Sequence, residues 1–316
     1  MKNSLTVVIP IYNESENILP LYGRLSKVLD EVSQKYQIKS EILFVDDGST
    51  DSSIDNIILL HERDRRVKLV SFSRNFGHQM AVTAGLDYGS GDVIVIMDGD
   101  LQHPPELIPQ LIQQWQAGYE IVYTIRQDTA KASIAKRLTS RLFYRLMQFM
   151  SRVTIPEGSA DFRLMDRQTV EVFKSLREKD RFLRGLIPWV GFRQIGVSYS
   201  ADKRYAGQSK YSTLKMLRLA LDGILSFSIV PLRLSFFLGL IVSLLGFLYA
   251  LYAFAVFVAG RAMPGWTSIL IAVLILGGVQ MIVLGMVGEY IGRIYQEVKN
   301  RPLYIVRRTL GLEDQT

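Results

Sequence analysis

Hydrophobic positions along the chain follow two regimes. Over residues 5–124, short apolar runs alternate with amphipathic stretches. Leu5–Ile9, Ile42–Val45, Val67–Ser71, Val93–Met97 and Ile121–Thr124 read as strands, while Glu16–Tyr36, Ser52–Arg63, His78–Tyr88 and Pro105–Gly118 read as helices. Strands that are apolar on both faces and separated by helices predict an α/β fold, with a parallel sheet covered on either side. Ligands of such sheets bind beyond the carboxyl ends of the strands. Towards the C-terminus the pattern changes, because Leu234 to Ala259 and Ala262 to Gly288 carry no charge at all. A helix needs about 20 apolar residues to cross the hydrocarbon core, so these stretches predict two transmembrane helices with a tight turn between them. Neither is read as a signal peptide, since both lie late in the chain.

Two segments between these regimes are amphipathic. Thr129 to Pro156 holds Lys131, Lys136, Arg137, Arg141, Arg145 and Arg152 but no acidic residue. Ile134, Leu138, Leu142, Leu146, Phe149 and Met150 recur there at helical spacing. Ser212 to Phe227 repeats the arrangement, with Leu214, Leu217, Leu221, Ile224 and Leu225 opposite Lys215, Arg218 and Asp222. Beside the spans, both are expected to lie on the membrane surface and meet anionic lipid head groups. Arg233 before the first span, and Arg293, Lys299, Arg301, Arg307 and Arg308 after the second, favour cytoplasmic ends for both termini. The expected organisation is residues 1–128 and 129–230 as two parts of a catalytic domain, 231–292 as the hairpin (spans about 234–259 and 264–288), and 293–316 as a cytoplasmic tail.

Composition narrows the chemistry. The 316 residues include no cysteine, which removes disulfide frameworks, zinc ribbons, iron–sulfur centres and thiol nucleophiles. The three histidines, His61, His78 and His103, form no H-x-x-x-H pair, so a histidine-based zinc hydrolase is excluded. A net charge of +7 fits a protein beside anionic lipid and gives no reason to expect nucleic acid. Neither G-x-G-x-x-G after the first strand nor G-x-x-x-x-G-K-[ST] occurs, which leaves a P-loop enzyme unsupported.

The strand ends carry carboxylates instead. The second strand runs into Asp46-Asp47-Gly48-Ser49-Thr50-Asp51, and the fourth into Asp98-Gly99-Asp100. Acidic groups gathered at neighbouring strand ends repel one another unless a cation is bound. Mg²⁺ typically takes one or two carboxylates together with substrate phosphates. An Asp-x-Asp after a buried strand therefore reads as a metal–diphosphate site.

These segments, with Val8-Ile9-Pro10-x-Tyr12-Asn13-Glu14 and Asp98-Gly99-Asp100-Leu101-Gln102-His103-Pro104-Pro105-Glu106, resemble the GT-A-fold inverting glycosyltransferases. Within them the chain is most similar to the polyprenyl-phosphate glycosyltransferases, the group of dolichol-phosphate mannose synthase and bacterial bactoprenol glucosyltransferases. The likeness extends through Gly158–Arg167, through Arg204-Tyr205-Ala206-Gly207-Gln208-Ser209-Lys210 and into the spans, which favour the bactoprenol branch. It implies hexose transfer from a sugar-nucleotide to polyprenyl phosphate, here UDP-glucose to undecaprenyl phosphate, with inversion at the anomeric carbon. GDP-mannose, UDP-GlcNAc and a UDP-aminoarabinose type remain alternative donors.

The resemblance further implies that Pro10, Tyr12, Glu14, Asp46, Asp47 and Asp98 hold the donor, and that Asp98, Asp100 and Gln102 bind Mg²⁺ or Mn²⁺. Arg126, Arg163, Arg204 and Lys210 are candidates for the acceptor phosphate, because guanidinium matches phosphate in a forked geometry. An ion pair of Arg163 with Asp161 or Asp166 is its alternative reading. Asp98, Asp100, Asp161 and Arg126 form the candidate catalytic set, with Asp161 orienting an arginine or the sugar hydroxyls. His103 is read as fixing its loop rather than as a base. The loop Ala201–Tyr211 would close over the site and exclude water. Tail residues Leu303–Arg308 have strand character suited to pairing with another subunit, and the resemblance implies a homo-oligomer, a tetramer. Competing readings are a processive polysaccharide synthase, a non-catalytic sugar-nucleotide-binding scaffold and nucleotidyl transfer to a lipid. The first lacks its Q-x-x-R-W motif here, and the second conflicts with an intact acidic set.

Overall fold

A computed structural model describes residues 4–126, 158–179, 181–199, 230–259 and 265–312. Residues 1–220 and 302–316 form one compact unit, and 221–301 form a second. The candidate residues Arg204 and Lys210, both amphipathic segments and the 201–211 loop lie outside the described residues.

All five expected strands form: β1 (Ser4–Ile11), β2 (Lys39–Asp46), β3 (Val67–Phe72), β4 (Val93–Ile96) and β5 (Ile121–Arg126). The helices between them are α1 (Ser15–Tyr36), α2 (Ser53–Arg63), α3 (His78–Tyr88) and, after a 3₁₀ turn at Pro105–Leu107, α4 (Ile108–Gln116). Further along come β6 (Ser159–Asp166), α5 (Arg167–Ser175), α6 (Leu183–Trp189), β7 (Gln194–Tyr199), the long helices α7 (Val230–Val258) and α8 (Trp266–Val298), and β8 (Val306–Leu310). The sheet has eight strands in the order β7-β5-β6-β4-β1-β2-β3-β8. β4, β1, β2 and β3 are mutually parallel, whereas β6 and β8 run antiparallel to their neighbours. The architecture is thus a mostly parallel, Rossmann-like GT-A sheet rather than a purely parallel one.

The strands expected from apolar runs are those buried on both faces; β1 is buried from Leu5 through Ile11. β6 escapes that pattern because Asp161, Arg163 and Asp166 interrupt it, yet it occupies a central position between β4 and β5. Asp166 also caps α5, its Oδ1 accepting from the Gln168 N–H at 3.0 Å while Oδ2 accepts from the Trp115 indole at 2.8 Å. The tail strand departs from expectation in another way. β8 pairs antiparallel with β3 of its own chain, Leu69 opposite Leu310 and Phe72 opposite Val306. Its exposed arginines suit an edge position. Tyr304 secures the approach by stacking on Phe72 at 5.0 Å and donating to Asp87 Oδ2 at 2.6 Å.

Chain order locates the binding crevice. β1, β2 and β3 are laid down in one direction, and α3 then carries the chain back to β4 on the opposite side of β1. Doubly wound sheets take ligands in the crevice at such a reversal, which here falls beyond the carboxyl ends of β1 and β4. α3 lies close against β1: a Cβ at Gly85 would stand 2.0 Å from Val8 Cγ1, so only glycine fits there.

In the second unit, Leu232–Val256 of α7 and Ile275–Val298 of α8 are long and apolar enough to cross a membrane, and almost none of either is buried within the chain. Large side chains such as Phe236, Leu245, Phe247, Ile275 and Leu284 are exposed. Water does not tolerate such a surface, and lipid does. α8 continues ten residues beyond Gly288, where the charge-free run ends, to Val298. Its added turns are held by an Arg293–Glu289 pair at 3.1 Å.

Candidate active site at the β1–β4 crevice

The acidic loop after β4 is set by its backbone. Leu101 adopts φ 63°, an unusual conformation for a residue with a side chain, and is buried. This turn lets the Gln102 N–H donate to Asp100 Oδ1 at 3.1 Å. His103 anchors the far end. It is buried, stacks on Phe162 at 5.3 Å, and its Nδ1 accepts from the Asp98 N–H at 3.0 Å. That ring therefore fixes the loop and has one nitrogen already engaged.

Asp98 is left 32% exposed, with Oδ1 accepting from His78 Nε2 at 3.0 Å. Burial works against its charge, but His103 and His78 outweigh that and hold its carboxyl below the ordinary value. His78, the first residue of α3, is shifted upward, the bond to Asp98 overcoming the effect of burial. Arg126, exposed at the end of β5, donates to Gln102 Oε1 at 3.3 Å. Tyr199, opposite Arg126 in β7, is pushed up to about 12 by burial and also by the charges of Asp98 and Asp100.

Asp161, on β6, feels the charges of both Asp98 and His78. Arg184 of α6 grips it with two bonds, Nε to Oδ1 at 2.9 Å and Nη2 to Oδ2 at 2.7 Å. Arg163 adds a third at 3.3 Å. Burial would raise this carboxyl, yet the two guanidinium groups hold it far below the usual range, which makes it an orienting anion and a poor base. Arg163 is buried, its Nη2 donating to the Ala160 carbonyl at 2.8 Å, and desolvation lowers it to about 10. Its ion pair with Asp161 is the alternative anticipated from sequence. Arg184, 40% exposed, is the guanidinium that reaches the surface here. Nothing in the sequence singles it out; His78 and Tyr199 carry the weak signal of standing just beyond or at a strand end.

The residues expected on the donor side behave differently. Pro10 is buried in β1, opposite Val45, while Tyr12 is 38% exposed just past the strand. Glu14 accepts from the Asn17 amide at 2.5 Å, and its N–H donates to Ser53 Oγ. Asp46 is fully buried: Oδ1 accepts from the Ser49 N–H at 3.0 Å and Oδ2 from the Ser71 hydroxyl at 2.8 Å. Asp47 accepts from the N–H groups of Phe76 at 2.6 Å and Gly77 at 2.9 Å, and burial raises its carboxyl despite those bonds. Both carboxylates thus hold the loops that follow β2 and β3. Gly48 (φ 74°) belongs to the same contact, because a Cβ there would stand 2.5 Å from the Arg74 carbonyl carbon.

The donor set at the β4 end suits a hard cation: two carboxylates and one amide oxygen, from Asp98, Asp100 and Gln102. Among the described residues no group of three His, Cys, Asp or Glu side chains could hold a metal by itself. Among the described residues a cation would find only part of its coordination sphere, which suits Mg²⁺ when phosphates supply the rest.

Residues 6–173 match the model for Glycosyl transferase family 2, and residues 230–294 match that for the GtrB C-terminal hairpin. The chain is a family 2 glycosyltransferase. A Bacillus subtilis (strain 168) protein, described as an uncharacterized glycosyltransferase, is 46% identical over 312 residues, covering 98% of this chain and 95% of that one. A prophage-derived bactoprenol glucosyl transferase of Shigella flexneri is 42% identical over 306 residues, covering 96% and 98%. Among solved structures, glucosyl-3-phosphoglycerate synthase from Mycobacterium tuberculosis, in complex with Mn²⁺, UDP-glucose and phosphoglyceric acid, has a TM-score of 0.47 at 18% identity, covering 71% of this chain and 78% of that one. With a hairpin of this family and two exposed apolar helices, this glycosyltransferase is a membrane protein.

Proposed function

We propose that this family 2 glycosyltransferase moves a hexose, glucose from UDP-glucose, onto undecaprenyl phosphate and releases nucleoside diphosphate. The observation that carries the reading is the partly exposed Asp98 after β4, with Arg126 bonded to Gln102 of the same loop and Arg184 bonded to Asp161, whose charge Asp98 feels, in a chain whose near full-length relatives include bactoprenol glucosyl transferases. Tyr12 offers the nucleotide base a flat face, and Pro10, Glu14, Asp46 and Asp47 shape that end of the crevice. Asp98, Asp100 and Gln102 would hold Mg²⁺ or Mn²⁺, which when bound offsets charge developing on the leaving diphosphate.

The acceptor needs little help from a base. A phosphate monoester has its second pKa near ~6 and is largely ionised at neutral pH, so it already carries the nucleophilic oxygen. What the protein supplies is cationic docking for one anion approaching another. Arg126 is suited to that, with Arg204 and Lys210 as further candidates, and Arg184 joins them because Asp161 presents its guanidinium at the surface. Asp161 holds that arginine rather than abstracting a proton. Direct displacement inverts the anomeric centre, so an α-linked donor gives a β-linked lipid product. The hairpin would leave both termini cytoplasmic, with the basic segments against anionic lipid and the protein assembled as a homo-oligomer.

The test is release of nucleoside diphosphate from UDP-glucose, UDP-galactose, UDP-GlcNAc and GDP-mannose, each with and without undecaprenyl phosphate. Lipid-dependent turnover with UDP-glucose above the others is the expected result. Equal release without lipid would remove the acceptor from the reading, and preference for another donor would replace the sugar.

A further inference from the structure

We infer that His78 is a positioning residue for the cation-binding carboxylate: through its bond to Oδ1 it fixes Asp98 so that Oδ2 is presented to the metal. The inference rests on the proposed cation site and adds a residue that the Asp-x-Asp pattern does not contain.

Three observations support it. Asp98 is restrained at both ends, its N–H held by His103 Nδ1 at 3.0 Å and its Oδ1 by His78 Nε2 at 3.0 Å. A carboxylate with one oxygen pinned cannot rotate freely about χ2, so the direction of its second oxygen is set as well. That oxygen, Oδ2, stands 3.7 Å from the already engaged His103 nitrogen and accepts no hydrogen bond among the described residues. It therefore keeps its lone pairs for an incoming cation, on a side chain still 32% exposed. Ligating carboxylates are commonly oriented by such outer partners, and losing one typically weakens metal binding about 10–100-fold.

His78 is itself held from the other side of the crevice. It directly follows Phe76 and Gly77, whose N–H groups donate to Asp47. Gly77 turns at φ 104° immediately before α3 begins. Asp47 at the end of β2 thus fixes the loop, the loop aims His78, and His78 aims Asp98 at the end of β4. Donor-side and cation-side loops are joined by this relay rather than by direct contact of their carboxylates.

The experiment is Mn²⁺ binding to the full-length protein in detergent, measured by Mn²⁺ electron paramagnetic resonance with the metal alone and with Mn²⁺ plus UDP. His78→Ala is expected to weaken Mn²⁺ binding about 10–100-fold with an unchanged melting temperature. His78→Gln, whose amide can still donate to Asp98, is expected to recover most of that loss. Equal Mn²⁺ affinity in wild type and His78→Ala would overturn the inference alone. So would a loss of affinity in both variants that tracks a fall in melting temperature, since that marks a merely structural residue. A wild-type protein that binds no Mn²⁺, with or without UDP, would overturn both the inference and the cation site beneath it.

Discussion

The ends of β2 and β4 both carry paired aspartates beyond a buried apolar strand, and both face the carboxyl side of the sheet. At β2, Asp46 is fully buried with both oxygens engaged, and Asp47 is consumed by two backbone N–H groups of the β3–α3 loop. At β4, Asp98 remains partly exposed with one oxygen unbonded among the described residues. Asp46 and Asp47 are architecture, whereas Asp98 keeps one oxygen that no described residue bonds. Acidic side chains at a strand end are thus an incomplete signal. What separates the two cases is how many of their lone pairs the protein itself satisfies.

Substitution can break that contrast most sharply at β4. Asp98→Ala or Asp100→Ala should lower glucosyl transfer at least about 10³-fold, roughly 4 kcal/mol of transition-state stabilisation, while the melting temperature stays put. Asp46→Ala should do the reverse. Losing a buried carboxylate with two partners costs about 3 kcal/mol of stability, read by chemical denaturation, and any loss of turnover should follow the loss of folded protein. If Asp46→Ala instead remained fully stable and lost donor binding, the two strand ends would be functionally alike and the contrast would fail.

Much of this is legible in the sequence. The apolar runs of β1 to β5, the helices between them and the two long apolar helices follow from the hydrophobic pattern, because each buries a continuous face or none. β6 is not, since a central strand holding Asp161, Arg163 and Asp166 looks like a loop until its charges are seen pairing with Arg184, with each other and with Trp115. β8 was read as a strand, but its partner depends on a return of the chain that no local pattern encodes. In the site, Asp98 and Asp100 stand out by type and spacing. Arg184 does not, because it reaches Asp161 across 23 residues from a short helix with no distinctive pattern.

The Asp161 cluster allows a smaller version of the same comparison. Arg163 and Arg184 share one carboxylate, but the first is buried and tied to its own strand whereas the second is 40% exposed. Arg184→Ala should reduce kcat/KM about 10²-fold, some 2.7 kcal/mol, chiefly through a higher KM for the lipid phosphate, with little change in melting temperature. An Arg184→Ala protein that unfolds early and keeps its KM would make the pair structural throughout. The tail offers a further step down. Tyr304→Phe keeps the stacking on Phe72 and removes only the bond to Asp87, so a loss of about 1.5 kcal/mol is expected in denaturant titrations.

Glu41, in β2 well before its carboxyl end, gives the mildest test and involves pH. Its carboxylate meets Lys68 Nζ at 2.6 Å, the Thr6 hydroxyl at 2.5 Å and both the N–H and O–H of Ser90. Burial alone would raise it, but these donors outweigh burial and hold it below its ordinary 4.5. A depressed folded value means that the unfolded chain binds the proton more readily. The stabilisation is therefore complete above 4.5 and disappears as pH falls through the lower folded value. Glu41→Gln retains an acceptor for Thr6 and Ser90 but loses the ion pair, so it should cost about 1 kcal/mol at pH 7. That difference should shrink towards zero on acidification, because the wild type loses the same contact. A deficit that stayed constant from pH 7 down to about pH 3, well below the ordinary glutamate value, would mean that shape rather than charge holds this position. Glu41 would then belong with packing residues, and not with carboxylates such as Asp46 that the fold satisfies by hydrogen bonds.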